Sequence, residues 1–94
     1  MKRYYCRPLK KYVTFIIKDT PNFDVIMFAH TTGVFLFFVT MPYKSSYKDC
    51  GFVNTKEYPW LADWLTEKDV AVATGRHYLY GGFNYPEFRF KKEG

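Results

Sequence analysis

Val25-Ile26-Met27-Phe28-Ala29-His30-Thr31-Thr32-Gly33-Val34-Phe35-Leu36-Phe37-Phe38-Val39-Thr40 decides the fold class. Its two halves are β-branched and aromatic, the composition of strands. Thr31-Thr32-Gly33 between them is too short for a crossover, so Val25–His30 and Val34–Thr40 must pair as an antiparallel hairpin. Val34–Val39 is the longest apolar run in the chain. It falls far below the ~20 residues of a membrane helix. It reads as a fully buried strand.

Working outward, Tyr12–Lys18 is another β-branched and aromatic strand, and Arg3–Arg7 is a short one stopped by Pro8. Asp19-Thr20-Pro21-Asn22 is a turn by composition. On the other side, Met41–Ser46 reads as loop. Tyr47–Val53 is ambiguous because Gly51 interrupts it. A helix is predicted near Pro59–Lys68. Asn54 and Thr55 precede it as capping residues, and Pro59 suits a first turn. Trp60, Leu61, Trp64 and Leu65 make one apolar face, with Asp63, Glu67 and Lys68 opposite. A helix this short must lie on a sheet to be stable. Val70–Thr74, His77–Tyr80 and Glu87–Lys91 are the remaining strand candidates, the last two separated by Gly81–Pro86. The sum is an α+β fold, a small, mostly antiparallel sheet of about five to seven strands with one packed helix. Ninety-four residues are expected to form a single domain spanning 1–94.

The chain carries ten Phe, nine Tyr and two Trp at a formal charge of +5. Rings supply large contact area at low entropy cost, and cations beside them suit anionic or π-rich partners. Residues 1–18 hold six cations and no acid, whereas residues 49–69 hold five acids against two lysines. Both basic ends bear rings. Alternation puts Arg3, Tyr5 and Arg7 on one face of their strand, and Arg89 and Lys91 on one face of theirs. If the terminal strands are neighbours, these rows merge into one patch. The plainer reading puts Tyr4, Phe15, Phe88 and Phe90 in the core and leaves the cations as solvated strand edges.

Motifs for chemistry are absent. Gly81-Gly82 lacks the Lys-Ser/Thr of a phosphate loop, and Gly75-Arg76-His77 reads as a turn. Ser45 and Ser46 sit in no nucleophile elbow. No flanking residue visibly activates Cys50. Asp63 and Glu67 read as a solvated helix face. His30 and His77 are the only two histidines and offer no recognised metal spacing. Two cysteines, Cys6 and Cys50, make no disulfide scaffold, and no secretion signal is visible, so cytoplasmic, reduced thiols are expected.

These observations predict a non-catalytic protein without cofactor or metal, acting stoichiometrically on a macromolecular partner and not on a membrane. A phage-encoded inhibitor of a host defence or nucleic-acid-processing machine fits the size and vocabulary. The expected contact residues are Tyr43, Tyr47 and Tyr85 as anchors on two loops, with Lys44 beside them. Arg3, Tyr5, Arg7, Lys10, Lys11, Arg89 and Lys91 are the cationic, ring-bearing ends. Direct binding of RNA or single-stranded DNA through those ends is the first alternative, and a small ribonuclease using His30 and His77 is the second. Edge strands leave dimerisation open.

Overall fold

The structure, a computed structural model, describes residues 2–19 and 21–91. Thr20 of the expected turn and Lys92 of the basic C-terminal run lie outside the described residues. Eight strands and one helix occur among the described residues. Strands β1 (Tyr4–Cys6), β2 (Lys11–Lys18), β3 (Asp24–Ala29) and β4 (Phe35–Phe38) form sheet A as a simple meander in that order. Strands β5 (Thr40–Lys44), β6 (Cys50–Val53), β7 (Ala71–Tyr80) and β8 (Phe83–Phe90) form sheet B in the order β5-β6-β8-β7. Every strand pair is antiparallel. Helix α1 (Leu61–Glu67) lies between β6 and β7 in the chain. The α+β class is as expected, but the strands number eight and divide between two sheets.

Val39 is where the chain changes sheet. Its N–H donates to the Val25 carbonyl (2.7 Å), and its own carbonyl accepts from Asn54 N–H (2.9 Å). One residue is thereby held by both sheets. The expected loop Met41–Ser46 is strand through Lys44 instead. Pro42 is tolerated there because β5 is an edge strand with a register shift between Thr40 and Lys44. Beyond it, Ser45 to Asp49 connect to β6, whose four residues are all buried.

Val70–Thr74 and His77–Tyr80 are one strand, not two. A bulge between Ala73 and His77 joins them, so that Thr74, Gly75 and Arg76 all face a single residue, Glu87, on β8. The separator between β7 and β8 is Gly81-Gly82 alone. Both have positive φ (58° and 79°), as a two-residue type I′ hairpin turn requires. Phe83 and Asn84 therefore belong to β8 and pair with Tyr80 and Leu79.

The core lies between the inner faces of the sheets. Val13, Val25, Met27 and Phe37 of sheet A meet Val53, Ala71, Phe88 and Phe90 of sheet B. Leu61, Trp64 and Leu65 close one side from α1, as their spacing predicts. Full burial of Leu61 and Leu65 is worth about 1.5–3 kcal/mol each. Trp64 packs on Phe15 and Tyr4, and its Nε1–H donates to the Tyr5 carbonyl (3.1 Å). Tyr58 stacks on Phe37 with centroids 3.9 Å apart. Asn54 does not cap α1. Its Oδ1 accepts from Glu57 N–H (3.3 Å) and caps the preceding turn, while Trp60 stands at the helix N-cap without a side-chain bond.

Candidate functional site

Alternation along sheet A sends Val13, Val25 and Met27 inward, which turns Tyr5, Tyr12, Ile16, Ile26, Phe28 and Phe38 outward. Phe38 sits opposite Ile26 and Ile26 opposite Ile16, an apolar row across three strands. A register shift after Met27 brings Phe35 opposite Phe28. Phe35 makes edge contacts with both Phe28 (6.1 Å) and Phe38 (5.5 Å). Phe35 is 50% exposed and Phe38 48%, and Ile16, Tyr12 and Tyr5 are each a little over 40%. The apolar run Val34–Val39 is thus not fully buried. Only Phe37 and Val39 of it are buried in the core, with Leu36 packed partly against it, because β4 lies at the sheet edge.

At the β1 corner of this face the charges gather. Tyr5 and Tyr12 are register partners with rings 5.2 Å apart, and the Arg3 guanidinium lies 4.4 Å over the Tyr12 ring. Arg7 follows β1 as the first residue of the β1–β2 turn and is exposed. Lys10, at φ 55°, closes the β1–β2 turn by donating its N–H to the Arg7 carbonyl (3.0 Å), and Lys11 is exposed at the start of β2. Arg3 and Tyr5 therefore meet at the Tyr12 ring with Arg7 and Lys10 on the adjoining turn, whereas Lys11, the register partner of Cys6, lies on the opposite face of β2 from Tyr12. Tyr12, Ile16, Phe28, Phe35 and Phe38 join them without having been singled out.

The other expected contact residues lie elsewhere. Strand β1 is the edge of sheet A and β8 lies inside sheet B, so the two strands do not pair and their cationic rows do not merge into one sheet face, although Lys2 and Lys91 flank a common pocket lined from both sheets. Lys91 forms an ion pair with Asp69, whose carboxyl is held below its usual pKa by that lysine. Tyr85 is 4% exposed and is no anchor. It is a mid-strand residue beside Phe83, with rings 4.9 Å apart, not a loop residue. Tyr43 is half-buried on β5 and packs against Tyr78 (4.7 Å) and Tyr80 (5.0 Å). Burial and the neighbouring Tyr80 raise its pKa. Lys44 is exposed at the end of β5. His30 lies at the β3–β4 turn and His77 on β7, in different sheets.

Sheet B has a second polar constellation on its outer face. Glu87 is only 2% exposed. One of its oxygens accepts from the Ser45 hydroxyl, and the other from Thr74 Oγ1–H (2.7 Å) and the Arg76 guanidinium (2.6 Å). Burial pushes the Glu87 pKa up, but these bonds and the Arg76 charge outweigh it and hold the carboxyl below its usual range. The bulge makes this possible, since it places Thr74 and Arg76 on either side of one residue. Arg76 is also covered by Tyr47, its guanidinium 3.6 Å from the ring centroid. Cys50 lies alongside. Burial, helped by the Glu87 charge, raises its thiol pKa, with Arg76 and Arg89 partly opposing. Cys6 is raised by burial as well, and both thiols are free. The alternation of β8 (Tyr85, Glu87, Arg89) could have pointed to this face, but a bulge that bends Arg76 onto Glu87 leaves no trace in spacing.

No three His, Cys, Asp or Glu side chains converge into a metal-binding group among the described residues, and no helix there is long and apolar enough to cross a membrane. No family model matches the sequence, no curated protein resembles it, and no solved structure matches the fold.

Proposed function

We propose that the chain is a non-catalytic binding protein that docks one-to-one onto a protein surface with an apolar centre bordered by carboxylates. One observation carries this reading. The outer face of sheet A exposes Ile16, Phe35 and Phe38 together across neighbouring strands, with Arg3 on the Tyr12 ring and Arg7 and Lys10 on the adjoining turn at one border. Contiguous exposed apolar surface of this kind marks an interaction site in a soluble protein. An apolar centre with a charged rim is the anatomy of a protein interface, and the rim cations set association rate and partner choice. Covering another protein's working surface inhibits it without any chemistry, which is the mode expected of a phage-encoded inhibitor of a host machine.

The Arg3–Tyr12–Tyr5 stack favours a second reading, single-stranded nucleic acid, whose bases stack on rings beside cations. Affinity capture from native extract separates the two. The protein reading requires a stoichiometric partner that survives nuclease treatment and is lost from Phe35→Ser/Phe38→Ser. Capture that vanishes with nuclease and returns with added RNA would transfer the assignment to the second reading.

A further inference from the structure

Beside the Glu87 cluster, the outer face of sheet B opens into a pocket of about 360 Å³ that the docking reading does not use. Ligand pockets begin at about this size. Tyr47, Lys48, Cys50, Thr74, Arg76 and Arg89 line it, and no acidic side chain does. Three cations thus converge on one concavity. Their placement follows from the ladder. Arg89 stands between its register partners Val72 on β7 and Cys50 on β6. Glu87 precedes it by two residues on the same face and holds Arg76. Lys48 reaches in from the β5–β6 connection.

Arg76 is the pre-set element. Glu87 takes one edge of its guanidinium, and Tyr47 covers its plane. A guanidinium has five N–H donors, so this clamp fixes the fork and leaves other donors for a ligand. Glu87 neutralises one of the three charges, and the lining keeps a net charge of about +2. That matches a phosphate dianion. Tyr47, 54% exposed as a residue, has one ring face on the Arg76 guanidinium, and a flat substituent would stack on the other.

We propose that this pocket binds a phosphate monoester. Arg89 and Lys48 grip the phosphoryl oxygens, Arg76 supplies a fixed fork, and Tyr47 stacks on the group that bears the phosphate. This site faces away from sheet A and does not depend on the docking reading.

Amide chemical shifts of the whole chain are followed while inorganic phosphate, uridine monophosphate or uridine is added. The expected result is saturable change centred on Tyr47, Lys48, Arg76 and Arg89, with inorganic phosphate binding on the order of millimolar and the monophosphate tighter. Uridine leaves these amides unmoved. Arg89→Gln and Lys48→Gln each weaken phosphate binding about tenfold, the worth of one charge-assisted hydrogen bond, while Lys56→Gln changes nothing. Unfolding curves of the variants confirm that they fold. Shifts that never saturate, that spread equally over Arg3, Lys10 and Lys11, or that uridine reproduces would overturn the proposal.

Discussion

Replacing Glu87 by Gln keeps the shape of a buried side chain, removes its charge and turns one of its two acceptor oxygens into an NH2 donor. Three donors point at that carboxylate, from Ser45, Thr74 and Arg76. Each charge-assisted bond exceeds a neutral one by about 1 kcal/mol. The Arg76 contribution counts at the low end, because its side chain is 43% exposed and water screens it. Removing the charge also relieves the penalty of burying it, so the net loss at pH 7 is about 2 kcal/mol. For a chain of this length, unfolding entropy near ~0.2 kcal/mol/K converts that into a Tm lower by about 10 °C. The pH dependence is the sharper signature. A carboxyl whose folded pKa lies below its unfolded value adds stability that is complete above the unfolded pKa and disappears as pH falls through the folded one. Glu87 starts from an ordinary 4.5 and is lowered in the fold. The gap in Tm between wild type and Glu87→Gln is therefore constant from neutral pH down to about 5 and closes below 4.5. Calorimetry across that range measures it. A gap under about 3 °C at pH 7, or one undiminished at pH 3, would refute the reasoning.

Further outcomes follow from the same geometry. Gly51→Ala places a Cβ 2.8 Å from Thr40 Cγ2 and 3.2 Å from Phe23 Cδ2, so it destabilises by about 1–3 kcal/mol in denaturant unfolding. Cys6 is fully buried with raised pKa, so a thiol reagent at neutral pH labels it at the rate of chain opening; fast labelling of Cys6 in the native state contradicts its placement. Phe35→Ser/Phe38→Ser removes side chains about half in water, so its unfolding midpoint stays within a few degrees of wild type while solubility rises. Partner affinity through the apolar centre of sheet A falls only weakly between low and moderate salt, whereas a nucleic-acid complex loses orders of magnitude over that range.

The antiparallel pairing of β3 with β4 was legible because period and turn length agree, although the second strand ends at Phe38 and Thr40 already belongs to β5 of the other sheet, and the Trp60–Leu65 helix face was legible too. What could not be read were the places where tertiary context overrides local pattern. A run of six apolar residues, Val34–Val39, normally means two covered faces, yet β4 lies at the sheet edge, and Phe35 and Phe38 were hidden inside an apparent core strand. Pro42 spells loop, but an edge strand tolerates it. Gly75 and Arg76 spell turn, but a bulge absorbs them and turns Arg76 onto Glu87. The N-terminal cation–ring corner was legible because it lies within one strand and its nearest neighbour. The C-terminal half of the expected contact surface was not. Its assembly required β1 and β8 to be adjacent, and no local signal sets the order of strands that far apart. Tyr85 was misplaced for a related reason: taking Gly81–Pro86 as one long loop hid the two-residue turn that begins β8 at Phe83.

The docking claim is tested most directly by photo-crosslinking, with a benzophenone amino acid placed singly at position 38 or at position 79. Leu79 is 67% exposed on the tip of the β7–β8 hairpin in sheet B, so both probes are accessible and only one lies on the docking face. In nuclease-treated native extract, docking through sheet A gives one discrete protein adduct from position 38 and none from position 79. Adduct formation from position 79 alone, or from neither, would contradict it.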